Sequence, residues 1–149
     1  MQIEEEDKLI SKIILFLKES SVFAEKKPNI NIDYLGKNIE DYSLEAVPAE
    51  RIIRRFITGE KEKQKIFIFA SRKTFSQDEI ENFEDYQLFE ELAEWIEEQN
   101  DNEKYPDISD IEKIEEIESM EVIDSPYVAA VSETEARYQM EIKINYIQK

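Results

Sequence analysis

Carboxylates at helical spacing are the side chains of this sequence best suited to chemistry. Five of them fall on one side of the segment 77–100: Glu90, Glu91, Glu94, Glu97 and Glu98. Two carboxyl groups that flank a glycosidic bond can act as general acid and general base. Charge runs on a helix are ordinarily a solvated face, and nothing marks an apolar pocket that would shift a pKa here. We therefore predict an exposed acidic face, with a carboxylate-based hydrolase as an alternative.

The acidic segment 101–112 has some features of a calcium-binding loop. Its acids include Asp101, Glu103, Asp107 and Glu112, the last at the twelfth place. An EF-hand loop, however, requires glycine where this segment has Pro106, and an oxygen ligand where it has Tyr105. The pattern favours an acidic surface loop, and we expect no metal site.

Several residue types that catalysis commonly uses are absent. The chain has no histidine and no cysteine, and its two glycines, Gly36 and Gly59, are isolated. These absences exclude a serine–histidine triad, a cysteine nucleophile, a thiolate metal site and a glycine-rich phosphate loop. We therefore expect that the protein is not an enzyme and has no cofactor.

The basic residues are concentrated in one part of an acidic chain. The formal net charge is −17, yet between residues 50 and 73 basic residues outnumber acidic ones by eight to three. Six of these cations are candidate interface residues: Arg51, Arg54, Arg55, Lys61, Lys63 and Lys65. Opposite charges on different faces of a protein steer and orient the encounter of its copies. We predict that this segment contacts the acidic helix of a neighbouring copy, through Glu90, Glu94, Glu97 and Glu98 of that copy.

Direct DNA binding is a weaker interpretation of the basic segment. Lysines and glutamates alternate over residues 60–63, which dilutes the positive field, and the acidic remainder of the chain repels phosphates. We therefore expect no sequence-specific contact with nucleic acid.

The periodicity of apolar residues predicts two helices that position these charges. Residues 3–18 place isoleucines and a leucine on one face. Residues 77–100 bury a stripe that includes Phe89, Leu92 and Ile96, with Trp95 beside it, and present glutamates on the other side. Ser76 is a plausible N-cap of the second helix.

Extended segments make up most of the remainder. Residues 29–35 and 42–47 alternate, and residues 52–58 and 65–71 flank a glycine-containing turn, which indicates a hairpin. The apolar run 66–69 is typical of a central strand buried on both faces. Residues 112–123 alternate only in part. Residues 127–131 and 137–147 predict a second hairpin, whose last strand is apolar toward the core and polar toward water.

Length and composition indicate one folded domain over residues 1–149. The hydrophobic fraction is 41%, too high for a disordered acidic tail, and 149 residues suit a single core. No apolar run is long enough to span a membrane, and the acidic N-terminus does not resemble a signal peptide. The elements together predict an α+β fold with a mixed or antiparallel sheet flanked by an N-terminal and a central helix.

Read together, five blocks resemble a family of small tailed-phage proteins. They are residues 32–35 (IDYL), 42–48 (YSLEAVP), 69–72 (FASR), 89–100 (FEELAEWIEEQN) and 136–139 (ARYQ). The family comprises minor capsid or tail terminator (tail completion) proteins of phages and prophages from low-GC Gram-positive bacteria. The chain departs from it at residues 119–124, where the resemblance implies a glycine-bearing turn and the sequence has Met120, Glu121 and Val122.

The resemblance implies a structural virion protein with a curved sheet flanked by helices. Such proteins form a hexameric ring that caps the major tail-tube protein and joins it to the head–tail connector proteins of the neck. DNA passes through the lumen without specific binding, and no membrane is involved. The resemblance places the protein in the virion tail or neck, assembled in the host cytoplasm, and carries over no catalytic residue. An acidic DNA-mimic inhibitor is the alternative function.

Overall fold

A computed structural model describes residues 5–23, 29–32, 42–48, 51–74, 79–124, 126–131 and 135–149. These residues form two helices and seven strands. Their order along the chain is α1 (Glu5–Lys18), β1 (Ile30–Ile32), β2 (Tyr42–Ala46), β3 (Arg51–Arg55), β4 (Lys61–Thr74), α2 (Glu79–Asp101), β5 (Ile114–Val122), β6 (Tyr127–Val131) and β7 (Glu135–Gln148). The fold is α+β with an open mixed sheet, which confirms the predicted class.

The sheet is organised around the two longest strands, β4 and β7, which pair antiparallel along their whole lengths. The path of the sheet is β1-β2-β4-β7-β5. Strand β2 pairs with residues 67–71 of β4, and β3 pairs with residues 61–64 of the same strand. In the same way, β5 pairs with residues 142–148 of β7, and β6 pairs with residues 136–139. Two hairpins, β3–β4 and β6–β7, therefore lie at opposite edges of the sheet.

Both helices contribute to one hydrophobic core on a single face of the sheet. The buried stripe of α1 is Leu9, Ile10, Ile13, Ile14, Phe16 and Leu17, and that of α2 is Phe89, Leu92 and Ile96. Phe69 of β4 lies at the centre, with its ring centroid 5.5 Å from that of Phe89. The apolar periodicity of each helix thus predicted its core face correctly, because a helix buries the side that repeats every three to four residues.

The alternation predicted for β7 is confirmed on the face that packs against the core. Tyr138, Met140, Ile142, Ile144 and Tyr146 are all buried. The opposite side is less exposed than predicted, since Gln139 is buried and Arg137, Glu141, Lys143 and Asn145 are half-buried.

The apolar run of β4 lies in a central strand, as predicted, but is buried on one face only. Phe67 and Phe69 are buried against the helices, whereas Ile66 and Ile68 are half-buried on the other face. No helix among the described residues covers this second face, which explains the difference.

The incomplete alternation of residues 112–123 has a structural cause in β5. Register shifts interrupt its pairing with β7 between Ile114 and Glu116 and again between Ile117 and Ser119. Each shift adds a residue, so the buried positions Ile114, Ile117 and Met120 recur every three residues and not every two. Where the resemblance predicts a turn at 119–124, the strand continues to Val122.

Some expectations fall partly outside the described residues. Of the extended segment predicted at 29–35, the structure describes Ile30–Ile32 as a strand that pairs parallel with β2. Tyr34, Gly36 and the predicted N-cap Ser76 are outside the described ranges.

Candidate assembly interface

The basic segment forms the β3–β4 hairpin, which we call the basic hairpin (residues 51–65). Its turn is closed by two backbone hydrogen bonds, from Phe56 N to the Glu60 carbonyl at 2.9 Å and from Gly59 N to the Phe56 carbonyl at 3.0 Å. Gly59 has a φ of 98° in this turn, a conformation that other residues adopt at a cost. The turn therefore sets the end of β3 at Arg55, three residues before the end that the sequence pattern indicated.

All five residues of β3 are exposed, although the strand is rich in isoleucine. One edge of β3 pairs with β4, and among the described residues no strand pairs with its other edge. Strand β3 has a register shift between Ile52 and Arg54 and carries three arginines. Irregular pairing and charged side chains are both common means by which an edge strand avoids pairing with other chains. The hairpin is thus an exposed projection at one edge of the sheet.

The six predicted cations of the basic hairpin differ in accessibility. Arg51, Arg54 and Arg55 are exposed, and Lys61 and Lys63 are half-buried. Lys65 is only 5% exposed, because it lies on the core face of β4 opposite Ile144. The surface that a partner could contact is therefore carried by the three arginines, and Lys65 does not belong to it.

Exposed isoleucines accompany these arginines, a feature that the sequence analysis did not single out. Ile52 and Ile53 are about two-fifths exposed, and Ile57 in the turn is completely exposed. The sequence shows these apolar residues within a charged hairpin. The same pattern is also typical of a strand that packs against the core, so the sequence alone does not predict that they are exposed.

The acidic residues of the hairpin face a cluster of glutamates on β5. A hydrogen bond with Glu62 raises the pKa of Glu118 to about 7, with further contributions from desolvation and from the charges of Glu62 and Glu116. The nearby Arg54 acts in the opposite direction. Substitution of Arg54 would therefore also change the interactions of these carboxylates within the molecule. Substitutions of Arg51 and Arg55 test contact with a partner more specifically.

Replacing Glu118 with glutamine is expected to flatten part of the pH dependence of stability. The native state binds this proton more tightly than the unfolded state, whose pKa is near 4.5. The resulting stabilisation is complete below pH 4.5 and is lost as the pH rises toward 7. Glutamine imitates the protonated acid, so Glu118→Gln should be more stable than the wild type at pH 7.5, by less than about 1 kcal/mol because the site is exposed.

Urea unfolding at pH 4.5 and at pH 7.5 measures this difference. Glu112→Gln, at an exposed position outside the cluster, is the matched control. Equal pH dependence in Glu118→Gln and the wild type would contradict the raised pKa of Glu118.

The predicted acidic face lies on α2, where Glu90, Glu91, Glu94, Glu97 and Glu98 are all exposed. A groove of about 380 Å³ separates this face from the connection between β5 and β6. We call it the acidic groove; its apolar lining residues are Ala93, Val122, Ile123 and Pro126, and its acidic ones are Glu90, Glu94, Glu97 and Asp124. The Tyr86 hydroxyl donates to the Pro126 carbonyl at 2.6 Å, which ties α2 to the connection.

Glu98 and Glu91 lie outside the acidic groove. With Glu94 they line a smaller neighbouring groove of about 270 Å³, next to Trp95 and Val22. The five glutamates of the predicted acidic face therefore line two neighbouring grooves, and Glu94 is common to both.

The basic hairpin and the acidic groove lie on opposite edges of the sheet. Strand β3 pairs with β4, β4 pairs with β7, and β7 pairs with β5, which leads into the groove. Three strand spacings correspond to roughly 14 Å before side chains are added. The two surfaces of one molecule do not meet, and both are open to another molecule.

The second face of the sheet carries a polar network with no counterpart in the sequence predictions. Arg137 Nη2 donates to Glu45 Oε2, which also accepts from Ser43 Oγ at 3.1 Å. Arg137 Nε donates to Gln139 Oε1 at 2.9 Å, and Gln139 Nε2 donates to the Tyr127 hydroxyl at 2.7 Å. The network links β2, β6 and β7 across β4, so these groups are part of the structure and explain why Gln139 is buried.

The acidic loop after α2 is fixed by contacts other than metal ligation. The Tyr105 hydroxyl lies 3.0 Å from Asn100 Oδ1 and 2.9 Å from the Glu118 carbonyl. Asn100 Oδ1 also accepts from Met120 N, and Asp107 Oδ1 accepts from Ser109 N. Within the described ranges, no group of three acids is arranged to hold a metal ion.

Comparison with known proteins gives no independent identification. No protein-family model matches the sequence, and no curated protein matches it significantly. In the described part of the chain, neither helix combines the length and hydrophobicity that a membrane span needs.

Proposed function

We propose that this protein is a structural assembly protein whose copies join head to tail through the basic hairpin and the acidic edge. The observation that carries the proposal is the position of two surfaces of opposite charge at opposite edges of one sheet. Arg51, Arg54 and Arg55 are exposed at one edge, and Glu90, Glu94 and Glu97 are exposed at the other.

Such a contact is heterologous, because one patch meets a different patch on the neighbour. Heterologous contacts generate a closed ring when the rotation between copies closes, and an open filament when it does not. A two-fold dimer through the hairpins alone would place arginine against arginine, and one through the acidic faces alone would place glutamate against glutamate. A two-fold dimer that used both surfaces would require one molecule to contact opposite edges of its partner's sheet, which the separation of the two surfaces disfavours.

We further propose that the assembly is the ring of a phage tail terminator. The resemblance of the five sequence blocks supports this assignment, and so does the α+β fold with a sheet flanked by an N-terminal and a central helix. In this role a hexameric ring caps the tail-tube protein and presents a docking surface to the connector proteins of the neck. The acidic body of the chain, with its net charge of −17, would let DNA pass through without adhesion.

An acidic DNA mimic remains the alternative function, and the basic hairpin argues against it. A mimic must present negative charge to a nucleic-acid-binding protein, whereas three exposed arginines at one edge would repel such a partner. The structural role accounts for both surfaces.

The mass of the purified protein in solution tests the proposal. We expect a discrete oligomer at low salt that dissociates as salt rises, since the screening length falls from about 10 Å at 0.1 M to about 3 Å at 1 M. We also expect the oligomer to stop the elongation of tail tubes from the same genome. A monomer at every salt concentration would contradict head-to-tail assembly. Capture of a nucleic-acid enzyme, with no effect on tubes, would favour the mimic.

A further inference from the structure

We infer that the tip of the basic hairpin inserts Ile57 into the acidic groove of a second copy of this chain. The inference rests on the proposed head-to-tail assembly and adds the contact that joins the copies. It adds an apolar contact, made by Ile57, to the charged contacts made by the arginines of the hairpin.

The tip is a preformed apolar knob. Ile57 is completely exposed, and the two turn hydrogen bonds between Phe56 and residues 59–60 hold it in place. The Arg54 guanidinium lies over the Phe56 ring, 5.8 Å from its centroid, which stiffens the base of the turn. A rigid projection loses little conformational freedom when it binds.

The acidic groove has the complementary chemistry. Its apolar lining includes Val122 and Ile123, the latter 38% exposed, and all of its charged lining residues are acidic. An apolar side chain that contacts Val122 and Ile123 would bring the arginines next to it in the hairpin close to the carboxylates of the groove. The hairpin has both parts of such a contact, because Arg54 and Arg55 precede the apolar Ile57. Protein interfaces commonly combine an apolar centre with a polar rim.

The occupant must come from another molecule, because the groove lies on the sheet edge opposite the hairpin. Each copy carries one knob and one groove, so the contact can repeat from copy to copy. Another groove, of about 640 Å³ beside α1, matches the basic hairpin less well, because Lys12 and Lys104 line it together with Glu19 and Asp107 and its charge is therefore mixed.

Cross-linking between single-cysteine variants tests the contact, since the chain has no cysteine of its own. Thr58→Cys labels the exposed turn, and Gln87→Cys labels an exposed position of α2 one turn before Glu90. Ser21→Cys, beside the smaller groove at Trp95, is the matched comparison. We expect a short bis-maleimide to join Thr58→Cys to Gln87→Cys in an equal mixture, with no product from Thr58→Cys alone.

The outcomes separate this inference from the proposed function. An oligomer that forms without the product from Thr58→Cys and Gln87→Cys, or that links Thr58→Cys to Ser21→Cys, overturns the knob-in-groove contact and leaves head-to-tail assembly in place. Cross-linking of Thr58→Cys to itself indicates a symmetric dimer and overturns both. Absence of any oligomer also overturns both.

Substitution of the knob gives a second measurement. Ile57→Ser should weaken self-association by roughly tenfold or more, the value expected for a buried aliphatic side chain. Leu15→Ser is the control, because Leu15 on α1 is 56% exposed and outside both surfaces. Equal association of Ile57→Ser and Leu15→Ser overturns the inference.

Discussion

Reversal of two arginines, Arg51→Glu with Arg55→Glu, is expected to leave the protein folded and monomeric. Both side chains are exposed on β3, so the substitutions should change the free energy of unfolding by less than about 0.5 kcal/mol each. Placing glutamates against the acidic edge of a neighbour costs several kcal/mol, which weakens association by about a hundredfold or more. Sedimentation at low salt measures the loss.

The choice of arginines and the control follow from the structure. Arg54 is retained because it faces Glu118 and its partners, so its reversal would also disturb the fold. Lys18→Glu with Lys113→Glu changes the net charge equally at exposed positions outside the hairpin. If the control dissociates as fully as Arg51→Glu with Arg55→Glu, total charge and not the hairpin controls assembly.

Phe69→Ala is expected to cause the largest loss of stability. Phe69 is completely buried, and its ring contacts those of Tyr42, Phe89 and Phe23 at centroid distances of 5.4, 5.5 and 6.2 Å. It joins β4 to β2, to α2 and to the segment that follows α1, so neighbouring side chains cannot fill the space it leaves without moving several elements. Truncation of a buried phenylalanine costs about 3–5 kcal/mol, a large share of the 5–15 kcal/mol that stabilises most domains.

Urea unfolding should be measured in the monomeric background of Arg51→Glu with Arg55→Glu, because assembly would otherwise add to apparent stability. Ile57→Ala, at the exposed tip, is the control and should cost less than about 0.5 kcal/mol. A cost for Phe69→Ala as small as that of Ile57→Ala would contradict the central position of this ring.

The sequence predicted those parts of the fold whose signal is local. Regular alternation from Tyr138 to Tyr146 identified the core face of β7, and the stripe through Phe89, Leu92 and Ile96 identified that of α2. The glycine at position 59 located the hairpin turn, because its positive φ is rarely adopted by other residues.

What the sequence could not predict depends on pairing between distant segments. The two register shifts in β5 depend on its fit to β7, and the burial of Lys65 depends on which face of β4 the helices cover. The acidic groove combines α2 with the β5–β6 connection, and its position opposite the hairpin follows from the strand order. Composition revealed both charges, but only the topology separates them across the sheet.

A charge-swap mixture tests the central claim most directly. One variant carries Arg51→Glu and Arg55→Glu; the other carries Glu90→Lys, Glu94→Lys and Glu97→Lys. Each alone brings like charges together and should be monomeric, whereas in the mixture every hairpin finds a groove edge of opposite charge. Native mass spectrometry of the equal mixture should show oligomers that contain both variants. Monomers in the mixture, with both variants folded, would contradict head-to-tail assembly through these two surfaces.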